Sequence, residues 1–133
     1  MPLHPDALVV RGGTIRDPAM LKTKVEMAIE DGDGAVLSVF CDVSRTVHEH
    51  PGMSLVELCI VSDVIHSKVQ VSTVCRLEEA GFQLEADITD GQPHTHHHVL
   101  FEEPVQESTL SAFIQCFDEP IPTPSGGKQR KPE

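Results

Sequence analysis

The segment GAVLSVFCD, residues 34 to 42, is almost continuously apolar and contains two valines and a phenylalanine, which favour β-structure. Apolar side chains at successive positions point to both faces of a strand. This pattern therefore predicts a strand inside a sheet, with other elements packed on both of its sides. We expect the rest of the chain to be organised around this central strand.

The segments on either side of the central strand alternate between strand and helix patterns. DALVVRGG (6–13) predicts a strand that ends in a glycine turn. Asp17 and Pro18 then mark the N-cap and first residue of a helix that Gly32 terminates. After a polar loop, the next helix begins with a capping box, and its expected apolar stripe continues to residue 65. That stripe consists of Leu55, Leu58, Val61 or Ser62, and Ile65.

The second half of the chain predicts two further helices and three strands. The predicted elements are a strand at VQVSTV (69–74), a short helix ending at Gly81, and strands at FQLEADI and HHHVLFE. A final helix is predicted at STLSAFIQCF. Its apolar side consists of Leu110, Phe113, Ile114 and Phe117. The order β-α-β-α-β-α-β-β-α predicts an α+β fold. We expect one compact domain at residues 1–119, with a small mixed β-sheet, or two small sheets, packed by three to four short helices. Residues 120–133, rich in Pro and Gly, predict an extended and then disordered tail.

Composition excludes several classes of protein. Ten basic and twenty-one acidic side chains give a net charge of −11, which disfavours a broad nucleic-acid-binding surface. No apolar run approaches the length of a membrane span, and the first residues lack the features of a secretory signal, so we expect a cytoplasmic protein. The four cysteines are far apart in the sequence, which predicts reduced, mostly buried thiols.

A histidine cluster within PHTHHHVLFEEP (93–104) places four histidines in five positions. Along a strand, His94, His96 and His98 would share one face, whereas His97 would join Val99 on the apolar face. Three interpretations remain open. The histidines of the first face could bind a metal, with the loop residues His48 and His50 completing the site. They could instead be solvated on an exposed edge, or one of them could line a pocket as a hydrogen-bond donor or general acid/base.

Three stretches together resemble a known family. ALVVRGG is similar to the first strand of ADP-ribosyltransferase folds, and GAVLSVF resembles the serine-bearing strand of the Tse-two-like branch of ADP-ribosyltransferase toxins. THHHVLFEEPVQESTLSAFIQCF is similar to the late segment of that branch, in which a Thr-His pair opens a strand and an amphipathic helix closes the domain. The three stretches occur in the same order as in the family and cover about a third of the chain.

The resemblance implies an ADP-ribosyltransferase-like fold with an NAD-binding cleft between two small sheets. Arg11 would contact a phosphate or ribose, since a guanidinium offers paired donors, and Gly12 would let the backbone approach the ligand. Phe40 would provide the aromatic ring for the nicotinamide, because the chain has no Tyr or Trp. Metal is not implied by the resemblance, and the alternative metal set is His94, His96 and His98.

The resemblance also implies catalytic positions. Ser38 takes the serine place on the supporting strand, and His96 takes the place of the histidine after Thr95. A carboxylate is needed for the positive charge that develops on the ribose when nicotinamide leaves, and Glu102, with its neighbour Glu103, is the candidate.

The predicted function is that of a bacterial, toxin-type ADP-ribosyltransferase-like protein that uses NAD, either active or degenerate, together with an antitoxin or immunity-like protein partner. Whether it is an enzyme is left open. One alternative is a non-catalytic interaction module of a two-component bacterial system, which docks through the last helix and the Pro-rich tail. A further alternative is a histidine-based metal-binding protein.

Overall fold

The computed structural model describes residues 3–14, 16–43 and 52–124. These residues form six β-strands and four α-helices, in the predicted order up to the last helix. The strands are β1 (Leu8–Gly12), β2 (Val36–Cys41), β3 (Lys68–Thr73), β4 (Gln83–Ala86), β5 (His96–Leu100) and β6 (Ile121–Pro122). The helices are α1 (Pro18–Glu30), α2 (Leu55–Val61), α3 (Val74–Glu79) and α4 (Glu107–Gln115). The loop residues His48 and His50 lie outside the described residues.

The strands form one sheet in the order β4-β5-β2-β1-β3-β6. Every strand pairing in the described residues is antiparallel, so the prediction of a mixed sheet is wrong. The sequence pattern identified the strands but not their directions, because direction depends on how each connection crosses the sheet. The architecture is a single α+β domain.

The pairing between β1 and β2, in the middle of the sheet, is short. β1 and β2 pair only through Val9 with Cys41 and Val10 with Phe40. In contrast, β1 pairs with β3 over five residue pairs, as does β2 with β5. β1 therefore continues through Arg11 beside β3 without pairing to β2, and the sheet opens at this point.

One face of the sheet carries the main core. Three helices, α1, α3 and α4, bury their apolar side chains against it. The side chains in this cluster that are buried completely or almost completely include Val9, Leu21, Val25, Val39, Val74, Leu77, Val99, Leu110 and Phe113. Helix α1 begins as predicted, with the Asp17 carboxylate accepting a hydrogen bond from the Ala19 N–H and Pro18 at the first position.

The opposite face is covered only in part, by α2. Its capping box between Ser54 and Glu57 is present as predicted. The predicted stripe is correct at Leu58 and, of the alternatives Val61 or Ser62, at Ser62, since both side chains are buried. It is wrong at Ile65, which lies beyond the end of α2 at Val61 and is exposed.

The hydroxyl of Ser62 forms a 2.6 Å hydrogen bond with the buried hydroxyl of Thr95, which joins the end of α2 to the residue before β5. A small polar side chain is tolerated there because its hydrogen bond is satisfied. Farther along the same face, Ser38 on β2 and Glu85 on β4 are exposed. The expectation that the central strand is covered on both sides is therefore wrong at Ser38.

The apolar side of α4 faces the protein's own core. Leu110, Phe113 and Phe117 are buried, and Ile114 is partly buried against the same cluster. The predicted docking surface on this helix is therefore occupied within the domain. The four cysteines form no disulfide bond with one another, and three of them are buried, as expected.

The segment after α4 returns to the sheet. β6 pairs with β3, and the Thr123 hydroxyl donates a 2.6 Å hydrogen bond to the His66 carbonyl. The beginning of the predicted tail is thus extended and attached to the domain, while residues from 125 onward lie outside the described part of the chain. Within the described ranges, no helix has the length and apolar character required to cross a membrane.

Candidate functional site

A groove of about 550 Å³ lies where β1 and β2 separate. β1 contributes Arg11 and Gly12 to its lining, and β2 contributes Ser38 and Phe40. The family resemblance implies NAD binding for Arg11, Gly12 and Phe40 and a catalytic role for Ser38. The volume lies within the range of about 300–1,000 Å³ that is typical of small-molecule sites.

Further polar side chains line the same groove. Lys24 and Asp31 come from α1 and its C-cap, Asp33 follows in the next turn, and His66 precedes β3. The groove thus combines cations that suit a phosphate with carboxylates that suit a developing positive charge.

Arg11 contributes a buried positive charge to this region. Its guanidinium carbon lies 5.9 Å from the ring centroid of Phe113, on the helix-covered face of the sheet. Its Nη1 atom is buried and is the one such side-chain atom in the described residues without a hydrogen-bond partner. Burial lowers the pKa of Arg11 to about 10, which still leaves the group charged at neutral pH. A buried positive charge with an unsatisfied donor favours an anionic ligand.

Gly12 has a packing role in addition to the predicted one. A Cβ atom at this position would lie 2.7 Å from Cγ of His66 and would overlap the ring. The missing side chain therefore makes room for the His66 imidazole, which lines the groove together with Gly12. The approach of the Gly12 backbone to a ligand stays a prediction.

The variant Gly12→Ala should therefore lower the free energy of unfolding by about 1–3 kcal/mol, the usual cost of overpacking. Urea unfolding measures this effect. In a His66→Ala background the same substitution should cost less than about 0.5 kcal/mol, because the clash is gone. Equal costs in both backgrounds would show that His66 does not occupy this space.

A second cluster of polar side chains lies on the partly open face. The His96 Nδ1–H donates a 2.7 Å hydrogen bond to Oδ2 of Asp87, and His98 Nε2 lies 3.6 Å from the same oxygen. The two imidazole rings meet nearly at right angles, with their centroids 5.3 Å apart. Phe40 contacts the ring of His96 at 5.5 Å, so this cluster adjoins the groove through the Phe40 side chain.

Hydrogen bonds fix the position of Asp87. Its Oδ1 accepts a 3.0 Å hydrogen bond from the Thr89 N–H, and its own N–H donates to the His96 carbonyl. Hydrogen bonds from Thr89, and more weakly the one from His96, lower the pKa of Asp87 to about 2. The carboxylate is therefore ionised at neutral pH, with Oδ2 directed at both imidazoles.

His97 faces the opposite side, as predicted. It is only 4% exposed and lies beside Val39 and Ala86 in the sheet. Its Nδ1–H donates a 2.8 Å hydrogen bond to the Thr95 carbonyl. Burial lowers the pKa of His97, so the buried ring is neutral at neutral pH.

The structure does not bring all of the predicted site residues together. His96 lies across the sheet from the Arg11 guanidinium and behind Phe40, and it does not line the groove. Glu102 and Glu103 line a separate groove of about 740 Å³ between the end of β5 and α4. His94 is exposed in the turn before β5 and does not join the Asp87 cluster.

Several residues of both sites were not predicted from the sequence. Asp87 directly follows β4, and an antiparallel hairpin places it opposite His96, so the alternation of FQLEADI was an available signal. Lys24 and His66 carried no comparable signal, because they reach the groove from elements whose placement depends on tertiary packing.

Comparisons of the chain with protein-family models, with curated proteins and with solved structures gave no match. The geometry of these two sites is therefore the basis for assigning a function.

Proposed function

We propose that the groove between β1 and β2 binds a dinucleotide, with NAD as the ligand, as in the ADP-ribosyltransferase toxins that the sequence resembles. Two observations carry the proposal: Arg11 lines a groove of ligand size, and its buried Nη1 has no hydrogen-bond partner. A pyrophosphate in the groove would supply a negative charge, and it would supply the missing acceptor once the guanidinium turned from Phe113 toward the groove. The opening of the sheet between β1 and β2 supports the comparison with a cleft between two small sheets.

Each lining residue has a role suited to its chemistry. Arg11 and Lys24 bind the phosphates, the Phe40 ring stacks against the nicotinamide, and the Ser38 hydroxyl hydrogen-bonds a ribose or the carboxamide. The carboxylates that line this groove are those of Asp31, the C-cap residue of α1, and Asp33, whereas Glu102 lines the other groove. In a transfer reaction the C–N bond to nicotinamide breaks, the acceptor bonds to ribose C1′, and the acceptor releases a proton. A carboxylate here would stabilise the positive charge that develops on the ribose.

Arg11→Met tests the binding step. Isothermal titration with NAD should give one site in the wild type, with a loss of affinity of about 30-fold or more in the variant, as expected for a charged hydrogen bond to phosphate. Arg16→Met is the matched control. Arg16 is exposed and pairs with Glu119 at 3.1 Å, so the same change in charge should leave NAD binding unaltered. NAD heats that are absent in the wild type, or that fall equally in both variants, would reject the proposal.

The same variant should not weaken the fold. Because Arg11→Met keeps an apolar stem near Phe113 and removes an unsatisfied buried charge, we expect the free energy of unfolding without ligand to stay constant or rise by about 1 kcal/mol. Denaturant unfolding without NAD checks this expectation. A loss of more than about 1 kcal/mol would identify Arg11 as a structural residue instead.

Catalysis is tested separately from binding. An active transferase should release nicotinamide from NAD, slow the growth of a bacterial host on expression, and lose both effects in Ser38→Ala. His96→Ala should reduce nicotinamide release less than Ser38→Ala does, because His96 contacts Phe40 and does not line the groove. A degenerate member of the family would bind NAD without releasing nicotinamide.

The interaction-module alternative needs a different surface from the one expected. The apolar side of α4 is buried, whereas Val56, Ile60 and Val61 on α2 are each more than 40% exposed. If the chain expresses harmlessly and does not bind NAD, α2 is where an antitoxin or immunity-like partner would dock. Val56→Asp together with Ile60→Asp should then abolish partner binding without unfolding the domain.

A further inference from the structure

We infer that Asp87, His96 and His98 form a binding site for a divalent transition-metal ion such as zinc, separate from the groove. Each residue offers one ligand atom, and these three atoms lie within 4.8 Å of one another. Two imidazole nitrogens and one carboxylate oxygen are a donor set that zinc uses in proteins, with a remaining position for water. The inference does not depend on NAD binding.

The distance between Asp87 and His98 matches that of a loaded site, and the distance between Asp87 and His96 is shorter because a hydrogen bond joins them. Zinc binds nitrogen and oxygen ligands at about 2.0–2.2 Å, so ligand atoms around a tetrahedral ion are roughly 3.3–3.6 Å apart. Oδ2 of Asp87 lies 2.7 Å from His96 Nδ1 and 3.6 Å from His98 Nε2. Small side-chain rotations, with the His96 proton moved from Nδ1 to Nε2, would therefore place an ion between the three residues.

The ligands are fixed in advance by their neighbours. The Thr89 N–H holds Oδ1 of Asp87, which leaves Oδ2 directed at the two rings. The ring of His96 is packed between Phe40 and His98. Such supporting contacts raise the metal affinity of a site, because less freedom is lost on binding.

The site is also accessible. The exposed fractions of the His96, Asp87 and His98 side chains are 9%, 11% and 21%, so an ion would enter from the side of His98. This is the part of the sheet that α2 leaves uncovered. Glu85 pairs with His98 in the sheet and is exposed, so its carboxylate could replace the water as a fourth ligand.

The histidines alone predicted a different ligand set. His94, His96 and His98 alternate in sequence, but His94 lies in the turn before β5, and the third ligand comes from the neighbouring strand. The two sets share two members. Asp87 and His94 therefore distinguish a built site from simple attraction of metal to a histidine-rich segment.

Zinc titration of untagged protein, freed of metal with EDTA and then dialysed, tests the inference. The wild type should bind one equivalent, and both Asp87→Asn and His98→Gln should weaken binding by about 100-fold or more. His94→Gln is the matched control and should change the affinity by less than about 2-fold. Zinc should also raise the thermal unfolding midpoint of the wild type and of His94→Gln, but not that of Asp87→Asn.

Circular dichroism in EDTA establishes that each variant is folded. If Asp87→Asn fails to fold, the partly exposed His98→Gln decides the outcome. Absence of stoichiometric binding, or equal weakening by His94→Gln and Asp87→Asn, would mean an adventitious ion only and would overturn the inference.

Discussion

Phe113→Ala is expected to lower the free energy of unfolding by about 3–5 kcal/mol, the cost of removing a buried phenyl ring and leaving a cavity. Phe113 is 1% exposed. Its ring contacts those of Phe82 and Phe101 at 5.7 Å each and that of Phe117 at 5.1 Å. Since small domains are stable by only about 5–15 kcal/mol, this single change removes a large share of the total.

The effect should also reach the groove. The Arg11 guanidinium lies against the Phe113 ring, so loss of the ring removes a cation–π contact and admits water beside the charge. Urea unfolding measures the stability, and Ile88→Ala is the control, because Ile88 is 91% exposed and its truncation should cost less than about 0.5 kcal/mol. A loss below about 1 kcal/mol for Phe113→Ala would contradict the aromatic core described above.

His97→Asp is expected to lower the free energy of unfolding by about 3 kcal/mol, because it buries an uncompensated charge. The neutral His97 imidazole donates to the Thr95 carbonyl, whereas an aspartate carboxylate has no proton to donate. The Thr95 carbonyl would keep only its hydrogen bond from the Cys41 N–H, and the carboxylate would lie next to Val39.

His94→Asp is the matched control for this experiment. It makes the same substitution three positions away, at an exposed residue in the turn, and should change the free energy of unfolding by less than about 0.5 kcal/mol. Both variants should be compared in EDTA, so that metal binding does not contribute. Equal effects would mean that β5 presents its other face to the core.

The element order was predictable because each element carries its own local signal. Asp17 and Pro18 start α1, and Ser54 with Glu57 starts α2, through hydrogen bonds that span only a few residues. The faces of β5 were also predictable, because side chains alternate along a strand, and His97 is buried on the apolar face as expected. The length of α2 was not predictable. The helix ends at Val61, and the next residue, Ser62, forms a hydrogen bond with Thr95, which is distant in sequence.

The candidate sites were predictable only in part. The resemblance selected Arg11, Gly12, Ser38 and Phe40, which meet in one groove. It also selected His96 and Glu102, which lie elsewhere, because a family motif fixes positions along the chain but not the directions of the side chains. Asp87 was missed because its partners come from the next strand of a hairpin.

The sequence by itself determined the order of the four helices and of the first five strands, which face of β5 is apolar, and that the chain is acidic. These properties depend on residues within a turn or two of one another. Only the tertiary structure decided that the strands are all antiparallel, that β1 and β2 separate after two pairs, and that Arg11 is left with a buried, unsatisfied nitrogen. Such features depend on contacts between residues that are far apart in the chain, and local sequence patterns do not predict those contacts.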